Sequence, residues 1–111
     1  MNSTSLAWLS LFLASILEIG WPLGFKLSQT TAHRWPWLSF SILSIGCSGY
    51  LLWRAQQSIP IGTAYAVWSG IGAAGTFAIG VMFFGDGVSL LRILSFLLIV
   101  AGVIGLKLSA G

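Results

Sequence analysis

The stretch LAWLSLFLASILEIGWPLGFK, residues 6–26, decides the fold. It has the length of one membrane crossing, about 20 residues. It is apolar almost throughout and carries one acid, Glu18, past its middle. An ionised carboxylate is costly in hydrocarbon, and acids inside membrane spans are rare and usually functional. The remaining chain reads as a housing for that one carboxylate.

The composition agrees with a membrane environment. Of 111 residues, 57% are hydrophobic and 6% are charged, whereas a soluble domain carries about 25% charged residues. So few charges cannot cover a water-facing surface, and the predicted class is an integral membrane protein. The formal charge of +3 comes from five basic residues against two acids. Those basic residues are scattered, so they form no nucleic-acid footprint. Cys47 is the single cysteine, which excludes an intrachain disulfide. The N-terminus does not read as a cleaved signal peptide, because residues 1–5 carry no basic side chain and the apolar run continues into Glu18.

Outward from the first run, three more follow, and the predicted helices cover about 6–27, 35–56, 60–84 and 90–108. A polar loop with Ser28, Gln29, Thr30, Thr31 and His33 separates the first two. Pro60 restarts a helix, since proline suits a first turn. Gly85-Asp86-Gly87 makes the next turn, and Ser89 is the expected N-cap of the last helix. The expectation is an all-α membrane protein in which residues 1–111 form a single four-helix transmembrane domain. With four spans, Arg54 and Lys107 fall on one side of the membrane and Lys26, Arg34 and Arg92 on the other. Such a balanced distribution leaves both orientations open.

Small residues mark the third run. Its segment SGIGAAGTFAIG holds Gly70, Gly72, Gly75 and Gly80, and Gly70, Ala74 and Ala78 form a stripe at a spacing of four. Stripes of this kind let membrane helices approach closely. Ala101, Gly102 and Gly105 give the fourth run a weaker packing face.

Few side chains offer chemistry. Glu18 is the first, a carboxylate that can hold either a proton or a cation. Ser15 and Trp21 lie three residues before and after it, on its helix surface. A tryptophan there can wall a cation site or bond the acid through its indole N–H, although ordinary packing is as good a reading from spacing alone. Pro22 and Gly24 loosen the second half of the helix, because proline removes a backbone hydrogen bond. Tyr65 and Trp68, three apart near the start of the third run, fit either an interfacial aromatic belt or a ligand-facing pair. Ser48 can bond a neighbour or its own backbone. The basic residues read as helix-end anchors, and Asp86 and His33 as loop residues. No metal-ligating cluster, phosphate loop or nucleophile constellation is present in the sequence. The reading is therefore of a non-enzyme without cofactor or metal.

These residues resemble a known family over essentially the whole chain. The lone acid Glu18 with Trp21 and Lys26, the run PIGTAYAVWSGIGAAG over residues 60–75 and the ending AGVIGLKLS over residues 101–109 look like a small multidrug resistance transporter. The resemblance implies four helices, an antiparallel homodimer of dual topology in the inner (plasma) membrane, and exchange of protons for small organic cations. Trp21 after the acid and the ending GLKLS look like the subtype that exports guanidinium. Carried over residue by residue, Glu18 is the substrate- and proton-binding acid. Trp21, Ser48, Tyr65 and Trp68 surround it; Ser15 and Gly72 are secondary candidates for lining the site. Two departures stand beside the acid. Ser15 replaces a usual glycine, and Trp21-Pro22 replaces a usual Trp-Ala.

The expected function is thus proton-coupled export of guanidinium or substituted guanidines such as guanylurea. A planar guanidinium matches a carboxylate through two parallel hydrogen bonds. An exporter of hydrophobic quaternary ammonium cations and a small subunit of a larger membrane complex remain as alternatives. The partners implied are the substrate cation, protons, the lipid bilayer and a second copy of the chain or a paralogue, with no nucleic acid.

Overall fold

The computed structural model describes residues 2–110, and they fold into four α-helices. These are α1 (Ser3–Thr30), α2 (Arg34–Ala55), α3 (Ile61–Phe83) and α4 (Leu90–Ala110). The fold class is all-α, and no strand occurs among the described residues. Helix α1 starts ahead of its apolar run because Asn2 caps it, its side chain accepting from Ser5 N at 2.8 Å. At the other end, Thr30 and Thr31 donate back to the Lys26 and Leu27 carbonyls at 3.0 and 2.7 Å. Those carbonyls belong to the last turn, which no further helix serves. Helix α3 starts directly after Pro60, which stands as its N-cap rather than inside it. It stops in a turn where Phe84 N and Asp86 N both donate to the Gly80 carbonyl, at 3.1 and 3.0 Å. Gly85 takes φ +68° there, a conformation that favours glycine. The Ser89 hydroxyl then accepts from Arg92 N at 3.2 Å, at the start of α4.

Helices α1, α3 and α4 are long and apolar enough to cross a membrane. Helix α2 falls short by composition because it carries a row of serines, and the fold turns that row inward. Ser41, Ser44 and Ser48 are buried, while Ile42, Leu43, Ile45 and Trp53 are exposed. The polar face of α2 meets protein, and its apolar face is left for lipid.

Helix α1 lies between α2 and α3, and α4 packs mainly on α3. Each contact is made through small residues, as expected where lipid removes most of the hydrophobic drive between helices. A side chain at Gly20 would strike Ser44, and one at Gly24 would strike Ser41 and the Trp37 carbonyl. Gly72 and Gly75 of α3 lie against Glu18 and Ile19 of α1. Gly70, from the predicted stripe, lies against Val103 of α4. Phe77 stacks near Phe96 with centroids 5.5 Å apart. By contrast, nothing among the described residues lies within 4 Å of a Cβ placed at Gly102 or Gly105. The apolar core gathers at the end where α1 and α3 begin and α2 finishes. Ala7, Trp8, Leu11, Ala55, Ile59, Ala64 and Val67 are buried together there. Lys107 Nζ sits 4.7 Å from the centre of the Trp8 ring.

Candidate functional site

Glu18 stands on the face of α1 that meets α3, one turn before Pro22. Gly72 makes room for it. A Cβ on Gly72 would lie 2.5 Å from Glu18 Cγ, so only glycine allows the acid to lie so close to α3. Trp21 Nε1 donates to Glu18 Oε1. The spacing of three residues therefore produces a direct hydrogen bond that fixes the carboxylate from its own helix. No side chain among the described residues donates to Oε2. A carboxylate has about four acceptor positions and the indole occupies one.

The carboxylate borders a cavity of about 260 Å³ lined by Glu18, Trp21, Pro22, Ser69, Gly72, Ala73 and Thr76. Three of the lining residues, Ser69, Gly72 and Thr76, recur at helical spacing on one face of α3. Ser69 and Thr76 do not stand out in the sequence. Their spacing from Gly72 is the signal that would have found them. The Ser69 hydroxyl donates to the Tyr65 carbonyl at 2.8 Å, so its lone pairs remain available.

The other candidate residues form a second layer. Trp68 Nε1 donates to Ser48 Oγ at 2.9 Å, and Ser48 Oγ donates to the Ala14 carbonyl at 2.6 Å. This chain of two bonds ties α3, α2 and α1 together one turn before the acid. Ser48 is fully buried and touches the site through Trp68 and Ala14. Tyr65 packs its ring against Trp68, with centroids 5.7 Å apart, and is otherwise exposed. Its hydroxyl does not bond Glu18 within one chain. Ser15 is fully buried, and its hydroxyl donates to the Leu11 carbonyl at 2.7 Å. The structure therefore brings Glu18, Trp21 and Gly72 together. It holds Ser48 and Trp68 behind them, and it leaves Ser15 and Tyr65 outside the first contact. Among the described residues, no group of three or more His, Cys, Asp or Glu side chains could hold a metal ion.

The arrangement is a membrane-embedded carboxylate, hydrogen-bonded on one side and open on the other to a small cavity with a mostly apolar wall. The chain belongs to the small multidrug resistance family. The model of that family, described as Small Multidrug Resistance protein, matches residues 6–99. The chain is similar to a guanidinium exporter of Yersinia pseudotuberculosis, with 45% identity over 105 residues, 95% of this chain and 100% of that one. It is 41% identical over 108 residues to a guanidinium exporter of Proteus vulgaris, again covering 95% and 100%. A third, of Salmonella typhimurium strain LT2, is 42% identical over 105 residues, covering 95% and 99%. With its membrane-spanning helices, the chain is a multi-pass protein of the inner membrane.

Proposed function

We propose that this protein exports small guanidinium-type cations in exchange for protons, with Glu18 as the group that both ions share. The observation that carries the reading is the half-buried Glu18 carboxylate, bonded by Trp21 on one oxygen and open to the cavity on the other. A guanidinium presents N–H pairs that fit a carboxylate in two parallel bonds. Trp21 supplies an aromatic wall beside the bound cation. When a proton takes the carboxyl group, the charge that holds the cation disappears. Proton and substrate therefore exclude each other, and an inward proton gradient drives the cation out. The protein acts as a carrier and not as an enzyme.

The working unit is an antiparallel dimer of two identical chains, in which two Glu18 carboxylates share one passage. Tyr65 and Trp68 complete the wall of that passage, with Ser48 holding Trp68 in place. The exposure of Tyr65 in a single chain supports this arrangement, because a second copy gives it a partner.

Transport in liposomes tests the reading. Purified protein should give charge movement with guanidinium and guanylurea that depends on the pH gradient, and Glu18→Gln should abolish it. Proton-coupled transport that survives in Glu18→Gln would refute the mechanism. Currents evoked mainly by a tetraalkylammonium ion would assign the protein to quaternary ammonium export instead.

A further inference from the structure

Pro22 stands four residues after Glu18 inside α1. In a helix, the N–H at that position would bond the Glu18 carbonyl. Proline has no N–H, and its ring crowds that carbonyl and turns it aside. Ahead of its last turn, the main-chain carbonyl of α1 that loses its regular partner to proline thus belongs to the residue whose side chain binds the cation. Glu18 and Pro22 lie on the same face of the helix and both line the 260 Å³ cavity, so the carbonyl between them borders it. Freed carbonyls in membrane helices are normally served by neighbouring hydroxyls or water. No side chain among the described residues donates to this one. The buried serines of α2 do not serve it: Ser48 donates to the Ala14 carbonyl, Ser41 donates to the Trp21 carbonyl, and Ser44 lies against Gly20 on the other face of α1.

We propose that the Glu18 main-chain carbonyl, released by Pro22, is a second hydrogen-bond acceptor in the cation site. This rests on the guanidinium reading above and sharpens it. One carboxylate takes two N–H groups along one edge of a guanidinium, and the other edges still carry donors. Donors left unpaired away from water weaken binding. The main-chain carbonyl of the same residue, three carbons from the carboxylate, accepts from an adjacent edge. The site is therefore matched to cations with N–H donors on more than one edge, such as guanidinium and singly substituted guanidines. A quaternary ammonium ion gains nothing from it.

Glu18 is the only glutamate in the chain, so 1-¹³C-glutamate places a single reporter on this carbonyl. Guanidinium is titrated into the labelled full-length protein in lipid, for the wild type, Pro22→Ala and Pro22→Gly, and the carbonyl resonance is followed. Both variants restore the N–H at position 22, and glycine does so without stiffening the helix. In the wild type the resonance should move downfield on binding. In both variants it should start downfield, move much less, and report affinity weaker by about tenfold, the scale of one hydrogen bond to a charged group. Equal resonance movement in Pro22→Ala would overturn the proposal. So would wild-type affinity in either variant, and wild-type behaviour in Pro22→Gly alone would assign Pro22 the role of loosening the helix. If the wild type binds no guanidinium, the functional reading falls and this inference falls with it.

Discussion

Helix α1 presents two faces built from the same material and used in opposite ways. On one face, Gly20 and Gly24 meet Ser44 and Ser41 of α2. There the serine hydroxyls fill the space the glycines leave, and Ser41 bonds the Trp21 carbonyl at 2.9 Å. On the other face, Gly72 and Gly75 of α3 meet Glu18 and Ile19. There the space next to the acid stays open as the cavity. Small residues bring helices together in both seams. What differs is whether a hydroxyl is at hand to close the gap. The closed seam holds the acid-bearing helix at a fixed distance from α2, and the open seam is the one a cation can enter.

This contrast is broken most strongly at Gly24. A Cβ there would lie 2.9 Å from the Trp37 carbonyl, a backbone atom that cannot step aside. Gly24→Ala should destabilise the protein by about 1–3 kcal/mol, the usual cost of overpacking. Unfolding in detergent micelles measures it. A fully stable Gly24→Ala variant would mean that the closed seam is looser than its geometry indicates. The matching change in the open seam, Gly72→Ala, should act differently. Its Cβ would strike Glu18 Cγ at 2.5 Å, a side-chain atom that can turn aside where the Trp37 carbonyl cannot. Stability should fall by less than about 1 kcal/mol. Guanidinium transport should fall by about tenfold or more, because a carboxylate displaced by an ångström no longer meets its ligand. Liposome fluxes and micelle unfolding on the same variant separate the two effects.

The two seams were not equally legible in the sequence. The crossing helices follow from run lengths and the scarcity of charge. The Glu18–Trp21 pair follows from helical spacing, because both partners lie on one helix. Gly72 against Glu18 depends on how two separate helices register, and no local pattern contains that information. The α1–α2 seam does have a local signature. Gly20 and Gly24 form a small-xxx-small pair, and Ser41, Ser44 and Ser48 recur at helical spacing on α2. In a helix judged by overall hydropathy, those serines look like weakness in a membrane span. Their inward direction, with apolar side chains facing out, becomes visible only once α1 is in place. Tyr65 is the reverse case, since its expected approach to the acid needs atoms that one chain does not supply.

Smaller effects sharpen the contrast. Ser48 is the point where the closed side touches the site, because it accepts from Trp68 and donates to the Ala14 carbonyl. Ser48→Ala removes both bonds. At about 0.6 kcal/mol for a side-chain hydrogen bond inside a membrane, the loss should be near 1 kcal/mol. The Trp68 indole would also be freed to rotate. Transport should drop with it, and tryptophan fluorescence should report the new environment of the ring.

The smallest expected effect belongs to Ser41. Its hydroxyl makes one bond, to the Trp21 carbonyl, and lines no part of the cavity. Ser41→Ala should therefore cost about 0.6 kcal/mol. Guanidinium transport should stay within about twofold of the wild type, since an isolated bond of this size changes an equilibrium by little more than that. The informative result is the ratio of the two serine variants. If Ser41→Ala disturbs transport as much as Ser48→Ala, the α1–α2 seam moves during the cycle, and Trp21 moves with it. If only Ser48→Ala does so, the seam is a fixed support and the working motion lies between α1 and α3, around the open side of Glu18.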